Sequence, residues 1–404
     1  MIKFIEGGIC AAKGFRANGV HCGLRKNTVK KDLALIVSEK KAAAAAVYTT
    51  NLVKGAPIYV TKKNISDGYA SAVICNSGNA NTCNADGMEV AEKMCAFVEK
   101  YAGISKDDVI VASTGVIGQP LNVNAVESGM EELVKGLGNN SDAAAQAIMT
   151  TDTYKKEVAV SFVLDGKECR MGGIAKGSGM IAPNMATMLI FITTDAAVSP
   201  DMLSKALKDD VADTFNMVSV DGDTSTNDML SVMANGMAGN ALISCENEDY
   251  KVFKAAFNTL TTKLCRLLAA DGEGATKLLE CRVKGAKDKK NARIIAKAVI
   301  SSNLLKAAMF GADANWGRVL CAIGYSGAEV DVTKIGVTFE SAKGVITVCE
   351  NGAGVDFSEE KAKEILLEKE IIINVTAGDG DGSSAAFGCD LTYDYVKING
   401  DYRS

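Results

Sequence analysis

The chain has 404 residues, a net charge of −5 and 48% hydrophobic residues, which is typical of a globular protein with two or three packed lobes. It has no dense block of Lys and Arg, so nucleic-acid binding is not expected. No apolar run approaches the length of a membrane span, and the first residues do not resemble a signal peptide. We therefore expect a cytoplasmic protein that binds neither nucleic acid nor membranes.

Runs of apolar residues and turn signals predict an alternation of strands and helices. In chain order, the pattern predicts a strand at 69–75, a helix at 88–101, a strand at 108–112, a hairpin of 157–164 and 168–171 around Asp165-Gly166, a strand at 188–192, a helix capped by Ser199-Pro200, a helix at 250–270, a last helix capped by Ser358, and strands at 371–376 and 391–398. Loops are predicted at 76–81, 113–118, 172–179 and 378–384. The mixture predicts an α/β or α+β fold of layered sheets and helices.

Metal sites are not expected. The twelve cysteines include no Cys-x-x-Cys pair, and His21 is the single histidine, so we interpret the thiols as reduced core residues and the histidine as structural. Residues 221–228 resemble a calcium loop, but Thr226 and Val232 stand where an EF-hand needs Gly and Glu. This polar segment is interpreted either as lining a site or as a structural hydrogen-bonded loop.

Thr187 is the candidate nucleophile, because it stands at the mouth of the predicted buried strand 188–192. An alcohol needs a base, and histidine is scarce in this chain. Cleavage between Ala186 and Thr187 would free an α-amine on the same residue as the hydroxyl, so the threonine could be its own base.

Three further positions could carry chemistry. The motif Ser113-Thr114-Gly115 could bind an oxyanion, but from the motif alone an ordinary tight turn is the favoured interpretation. Lys176 could hold a carboxylate or be an exposed loop lysine, and Glu273 could hold an amine or be a solvated carboxylate. The glycines around Lys176 lack the spacing of a nucleotide-binding loop, so no nucleotide cofactor is expected.

Residues 176–189, Lys-Gly-Ser-Gly-Met-Ile-Ala-Pro-Asn-Met-Ala-Thr-Met-Leu, resemble the cleavage and nucleophile motif of the ornithine acetyltransferase family, the glutamate N-acetyltransferases of arginine biosynthesis. The resemblance continues in order through residues 14–24, 76–81, 113–118, 150–153, 219–228, 271–276, 310–318 and 395–404. It therefore covers almost the whole chain.

The resemblance implies a self-processing enzyme with an N-terminal threonine nucleophile and a DmpA-like α/β fold. Cleavage between Ala186 and Thr187 would give an α chain, 1–186, and a closely packed β chain, 187–404, in a heterotetramer of two α and two β chains. Thr187 would carry acetyl from N2-acetylornithine to glutamate. The family's site residues correspond to Thr114 and Gly115 as the oxyanion hole, and to substrate contacts at Thr150 or Thr151, Lys176, Thr187, Glu273, Asn399 and Ser404, where the family commonly ends in Thr.

Transfer between two amines is close to isoenergetic, so no cofactor is expected. Some members of the family also use acetyl-CoA as a co-substrate, and no motif here decides whether this chain does. Two alternatives stay open at this point: a self-processing amidohydrolase or aminopeptidase that gives the acyl group to water, and a binding protein that never cleaves.

Overall fold

The computed structural model describes residues 1–27, 29–181 and 188–401. The strands in these ranges are β1 (Lys3–Ile5), β2 (Phe15–Val20), β3 (Leu33–Tyr48), β4 (Tyr69–Asn79), β5 (Val109–Val116), β6 (Lys156–Leu164), β7 (Lys167–Lys176), β8 (Leu189–Thr194), β9 (Val218–Ser219), β10 (Met229–Ala234), β11 (Leu278–Ala286), β12 (Gly336–Ser341), β13 (Gly344–Glu350), β14 (Ala353–Gly354), β15 (Glu370–Thr376) and β16 (Gly382–Cys389).

The helices are α1 (Ala56–Asn64), α2 (Gly87–Ala102), α3 (Val123–Lys135), α4 (Ser141–Ile148), α5 (Pro200–Val211), α6 (Glu248–Ala270), α7 (Lys289–Ser301), α8 (Asn303–Phe310), α9 (Trp316–Gly324), α10 (Glu359–Leu366) and α11 (Tyr393–Gly400). Within the described ranges, no helix is both long enough and apolar enough to cross a bilayer. All twelve cysteine thiols are free, and seven of them are buried.

The described residues form two compact units. The first draws its residues from 1–177, 184–212 and 224–264, and the second from 178–183, 213–223 and 265–404. Each unit contains its own sheet and its own buried core.

The first unit is built on a nine-stranded mixed sheet in the order β1-β6-β7-β8-β10-β3-β4-β5, with β2 paired to β3. Strands β8 and β10 are parallel, as are β4 and β5, and the other neighbours are antiparallel. Alternate residues of a strand point to opposite faces, and in β3 Leu33, Leu35 and Val37 join one buried cluster while Ala34 and Ile36 join another. Both faces of this part of the sheet are therefore covered.

The predicted strand at 188–192 is confirmed as β8. All six of its residues are buried, as expected for a central strand that is covered on both faces. The predicted hairpin is also confirmed, because β6 and β7 pair antiparallel through Leu164 and Lys167 around Asp165-Gly166. Both turn residues have positive φ, 47° and 69°, as a two-residue hairpin turn requires.

The second unit contains a seven-stranded sheet in the order β14-β13-β12-β15-β11-β16-β9. Its core includes Ile295 and Val299 of α7, Val319 of α9, and Ile373 and Val375 of β15. The helix predicted after Ser358 is confirmed as α10, since the Ser358 hydroxyl accepts a hydrogen bond from the Lys361 N–H at 3.1 Å.

Three glycine-containing segments predicted as loops begin as strand. Residues 172–176 belong to β7, and the glycines mark a close backbone approach, because a Cβ on Gly172 would lie 1.7 Å from the Gly8 carbonyl oxygen. Strands β4 and β5 likewise continue to Asn79 and Val116 through a register irregularity at Gly78. Thr114 and Gly115 therefore lie on a strand end and not in a free loop.

The strand predicted at 391–398 is wrong, because this segment forms helix α11. Its alternating apolar and aromatic residues are typical of strands, but no described strand pairs with this segment after β16 ends at Cys389. A helix satisfies its backbone N–H and C=O groups internally, whereas an unpaired strand would not. Helix α10 is consequently not the last helix, and the predicted loop at 378–384 becomes strand β16 from Gly382.

Candidate active site

The ends of β4 and β5 are held by a network of side-chain hydrogen bonds. The Ser113 hydroxyl donates to the Asn76 amide oxygen at 2.5 Å, and the Asn227 amide donates to the Ser113 carbonyl at 3.0 Å. The same amide donates to the Ala80 carbonyl, and all these groups are buried. Ser113 does not form the tight turn that the motif alone favoured, and the network fixes the backbone just before Thr114.

Gly115 lies against the β4 backbone. It pairs with Gly78 in the register, has φ = 131°, and would place a Cβ 2.3 Å from the Gly78 carbonyl carbon. Only glycine fits such a position without strain. The backbone at Thr114-Gly115 is thus held in one particular arrangement.

Lys176 ends β7 and is buried, so the interpretation as an exposed loop lysine is wrong. Its Nζ lies 3.4 Å from the Thr114 hydroxyl oxygen, which brings together two residues predicted to act in one site. Burial lowers the pKa of Lys176, and the nearby carboxyl groups of Asp152 and Asp228 only partly oppose that effect. A buried ammonium of this kind gains strongly from an anionic ligand.

Asp152 connects the segment of Thr150 with the turn after β7. One carboxylate oxygen accepts the Thr150 N–H at 2.9 Å, and the other accepts the Gly177 N–H at 2.7 Å and the Lys156 Nζ at 2.6 Å. Burial alone would raise the pKa of Asp152, but the charges of Lys156 and Lys176 and the donated hydrogen bonds lower it to about 2. Asp152 is therefore a firmly ionised buried carboxylate.

Asp228 is a second buried acid in this cluster. Its buried Oδ2 atom has no hydrogen-bond partner among the described residues. Burial raises the pKa of Asp228 well above its usual range, and Ser225 and the charge of Lys176 offset only part of that. Asp228 is thus easier to protonate than an ordinary aspartate, in contrast with Asp152.

In the second unit, Glu273 follows α6 and is buried, which contradicts the interpretation as a solvated loop carboxylate. The Asn399 amide of α11 donates to its Oε2 atom at 2.7 Å. The Glu273 N–H donates to the Ser178 carbonyl at 3.0 Å, and the Ser178 hydroxyl donates to the Asp271 carbonyl. Glu273 and Asn399, predicted separately as substrate contacts, are therefore in direct contact.

Segment 221–228 contains structural hydrogen bonds in both units. In the second unit the Asp221 carboxylate accepts the Met180 and Ile181 N–H groups at 2.6 and 2.8 Å, and in the first unit Asn227 holds the end of β5. No group of three potential metal-ligating His, Cys, Asp or Glu side chains occurs in the part of the chain that the structure describes. His21 contacts the Lys30 carbonyl through Nδ1 at 2.9 Å and lies 3.2 Å from the buried Asp32 carboxylate.

Three of the predicted site residues, Ala186, Thr187 and Ser404, lie outside the described residues. Thr150 contacts Asp152 through its backbone N–H, and Thr151 is half-buried.

Sequence reasoning missed Asp152, Lys156 and Asp228. A usable signal existed for Asp152 and Lys156, since a carboxylate shortly before a largely apolar strand is followed, four residues later, by a lysine at the first position of that strand. Nothing local distinguishes Asp228 from the other acids of its segment.

Comparisons of the family model, the sequence and the structure with known proteins agree with one another. The ArgJ family model matches residues 16–404. The arginine biosynthesis bifunctional protein ArgJ 1 of Clostridium acetobutylicum is 50% identical over 392 residues, 96% of each chain, and the ArgJ protein of Caldanaerobacter subterraneus is 50% identical over the whole of both chains. The solved Bacillus halodurans ArgJ chain is 44% identical with a TM-score of 0.50, and 97% of it matches 52% of this chain. With a match over nearly all its length and relatives that share half its residues, the chain belongs to the ArgJ family.

Proposed function

We infer that this chain is an acyltransferase of arginine biosynthesis, and we propose that it moves acetyl from N2-acetylornithine to glutamate. The observation that carries the proposal is the full-length match to the ArgJ family, whose relatives are named for arginine biosynthesis. The cluster at Thr114, Gly115 and Lys176 supports it, because it combines a buried cation, a hydroxyl and a constrained backbone.

We propose Thr187 as the nucleophile, freed by cleavage of the bond between Ala186 and Thr187. Support comes from its position two residues before the buried strand β8, which begins at Leu189, and from the lack of a second histidine in the chain. The pieces would be residues 1–186 and 187–404. The solved Bacillus halodurans chain matches only about half of this one while being covered almost completely, which agrees with one of two processed pieces.

The chemistry needs two similar half-reactions. The neutral α-amine of Thr187, with an unperturbed pKa of about 7.7–8.0, takes the hydroxyl proton as the oxygen attacks the acetyl carbonyl. Backbone and hydroxyl groups at Thr114 and Gly115 would stabilise the oxyanion, the C–N bond breaks, and ornithine leaves with the proton. The neutral amine of glutamate then attacks the carbonyl carbon of the acetyl-Thr187 ester, the ester C–O bond breaks, and the α-amine passes the proton from the glutamate nitrogen to the threonine oxygen, which gives N-acetylglutamate and restores the threonine.

Substrate recognition is proposed at the remaining residues. Lys176 would pair with the substrate carboxylate and Glu273 with the ornithine ammonium, each as a charge-assisted hydrogen bond. Asn399, which donates to Glu273, would orient that carboxylate. Thr150 or Thr151 and the terminal Ser404 are proposed as further contacts.

We further propose that no cofactor is required and that acetyl-CoA can serve as a second acetyl donor, since relatives are named bifunctional. We also propose a cytoplasmic heterotetramer of two α and two β chains. Measuring the free CoA that is released with glutamate as acceptor tests whether acetyl-CoA is a donor. No release above background would contradict this part of the proposal.

The principal test mixes purified protein with N2-acetylornithine and glutamate. The proposal expects equal amounts of ornithine and N-acetylglutamate, whereas the alternative, a self-processing amidohydrolase, would produce mostly acetate. Thr187→Ala should abolish both cleavage and transfer, and Thr187→Ser, which keeps the hydroxyl, is the matched variant. A single uncut band at 42.3 kDa on a denaturing gel, unchanged with time, would contradict both enzyme functions.

A further inference from the structure

The first unit contains a fully buried ion pair that the proposed chemistry does not use. The side chains of Lys156 and Asp152 are both 0% exposed, and their Nζ and Oδ1 atoms are 2.6 Å apart. Burying two charges costs about as much as their attraction returns, so such a pair is weak evidence for a purely stabilising role. Asp152 also accepts the N–H of Gly177, the residue after Lys176, so the pair lies beside the proposed site.

The ionisable groups around Lys176 differ in the direction of their pKa shifts. The charges of Lys156 and Lys176 and the donated hydrogen bonds lower the pKa of Asp152 to about 2, whereas burial raises the pKa of Asp228 well above its usual range and that of the nearby Cys75 thiol to about 12. The two lysines have different partners. Lys156 forms the ion pair with Asp152 at 2.6 Å, whereas the Lys176 Nζ lies 3.4 Å from the Thr114 hydroxyl oxygen.

Lys176 is the lysine that is available to a ligand. Its Nζ approaches the Thr114 hydroxyl at 3.4 Å, whereas the Asp152 carboxylate is engaged by Lys156 and by the Gly177 and Thr150 N–H groups. If the Lys156 charge were absent, Asp152 would be the nearest strong counter-ion for Lys176. A substrate carboxylate would then compete with an internal one.

We propose that Lys156 is a positioning residue that neutralises Asp152 and so keeps Lys176 available to bind a substrate carboxylate. This inference rests on the proposed function of Lys176. Lys156 itself touches no substrate, because its side chain is fully buried against Asp152 and over the ring of Tyr154. The pair sets the strength of substrate binding through Lys176.

The test compares KM and kcat of processed enzyme for glutamate and N2-acetylornithine. Lys156→Met removes the charge but keeps the chain length, and it should raise KM for both substrates at least about tenfold, the loss of roughly one charge-assisted hydrogen bond, with a much smaller change in kcat. Lys156→Arg restores the charge and should bring KM back toward the wild-type value. Should Lys156→Met not fold, Lys156→Gln tests the same loss of charge with a donor retained.

Two further variants separate this role from a structural one. Adding Asp152→Asn to Lys156→Met removes the internal competitor, so KM of the double variant should lie below that of Lys156→Met alone. Lys306→Met removes another buried lysine, which donates to the Val220 carbonyl in the second unit, and should lower Tm without raising KM.

The outcomes distinguish the two proposals. Three results would overturn this inference, provided that the wild type transfers acetyl. They are an unchanged KM in the folded Lys156→Met variant, a fall in its kcat alone, and a KM of the double variant that is not below that of Lys156→Met. Failure of the wild type to transfer acetyl, together with no calorimetric binding of glutamate, would instead remove the proposed function.

Discussion

Gly115 lies where the ends of two parallel strands approach too closely for any side chain. Its φ of 131° and the 2.3 Å distance from a Cβ to the Gly78 carbonyl carbon are two independent reasons for glycine. The constraint matters for chemistry because an oxyanion hole works only if its donors are already oriented. Asn227 and Asn76 supply that orientation through Ser113.

Gly115→Ala should therefore lower both kcat and stability. Displacing the Thr114-Gly115 backbone should reduce kcat by about 10²–10³, as the loss of one oxyanion donor does. Strain at the positive φ should lower the free energy of unfolding by about 1–3 kcal/mol.

The control for that variant is Gly118→Ala, because Gly118 also has positive φ, 74°, but an added Cβ meets nothing within 4 Å. This variant should lose stability while its kcat changes little. Steady-state kinetics and urea unfolding measure both quantities, and equal kcat losses in the two variants would contradict the assignment.

Lys176 should make substrate affinity depend on pH in the alkaline range. Its pKa is lowered in the free enzyme, and a bound carboxylate raises it again. Affinity is then complete below the free-enzyme pKa and is lost as the pH rises from the free-enzyme pKa to the pKa of the complex. KM for glutamate should begin to rise at a pH below the ordinary lysine pKa of about 10.4.

In Lys176→Arg the guanidinium stays protonated, so KM should not vary over the same pH range, whatever its absolute value. The measurement is KM against pH for both enzymes at fixed ionic strength. A wild-type KM that stays constant up to the ordinary lysine range would show that Lys176 does not hold the substrate carboxylate.

Elements with strong local signals form as predicted. Strand β8 is a short apolar run, α6 has apolar residues at helical spacing, and Ser199 accepts the Met202 N–H at the start of α5. The wrong predictions concern segments whose secondary structure depends on pairing with neighbouring strands. Residues 172–176 became strand because β6 and β8 pair with them on both sides, and α11 formed where no described strand was available.

Ser358→Ala tests one local signal. The Ser358 hydroxyl accepts the Lys361 N–H at 3.1 Å at the start of α10, so the alanine variant should lose about 1 kcal/mol of unfolding free energy. Ser358→Gly should lower the free energy of unfolding by roughly a few tenths of a kcal/mol, because glycine also suits a cap position. Urea unfolding measures both, and an alanine variant as stable as the wild type would show that the cap contributes nothing.

At the scale of the whole molecule, each compact unit combines segments that are distant in the chain. The second unit, for example, draws on 178–183, 213–223 and 265–404. Such interleaving explains why no linker is visible in the sequence. It also means that residues before and after Thr187 contribute to both units.

The proposed heterotetramer predicts a native mass of about twice the 42.3 kDa of one translated chain. Light scattering on processed enzyme measures this mass, and a denaturing gel of the same sample should show two pieces. The uncut Thr187→Ala precursor should have the same native mass if assembly does not depend on cleavage. A native mass of a single chain, or pieces that separate without denaturant, would contradict the proposed assembly.

The sequence by itself determined the family, the α/β class, the hairpin at Asp165-Gly166 and the residues to be tested. These follow from short-range patterns and from motifs that can be read along the chain. Only the tertiary structure decided that Lys176 is buried beside Thr114, and that the pKa of Asp152 is lowered while that of Asp228 is raised. Burial and the approach of separate segments, such as β5 to Lys176, set these properties, and the residues next to each group in the sequence do not reveal how deeply it is buried.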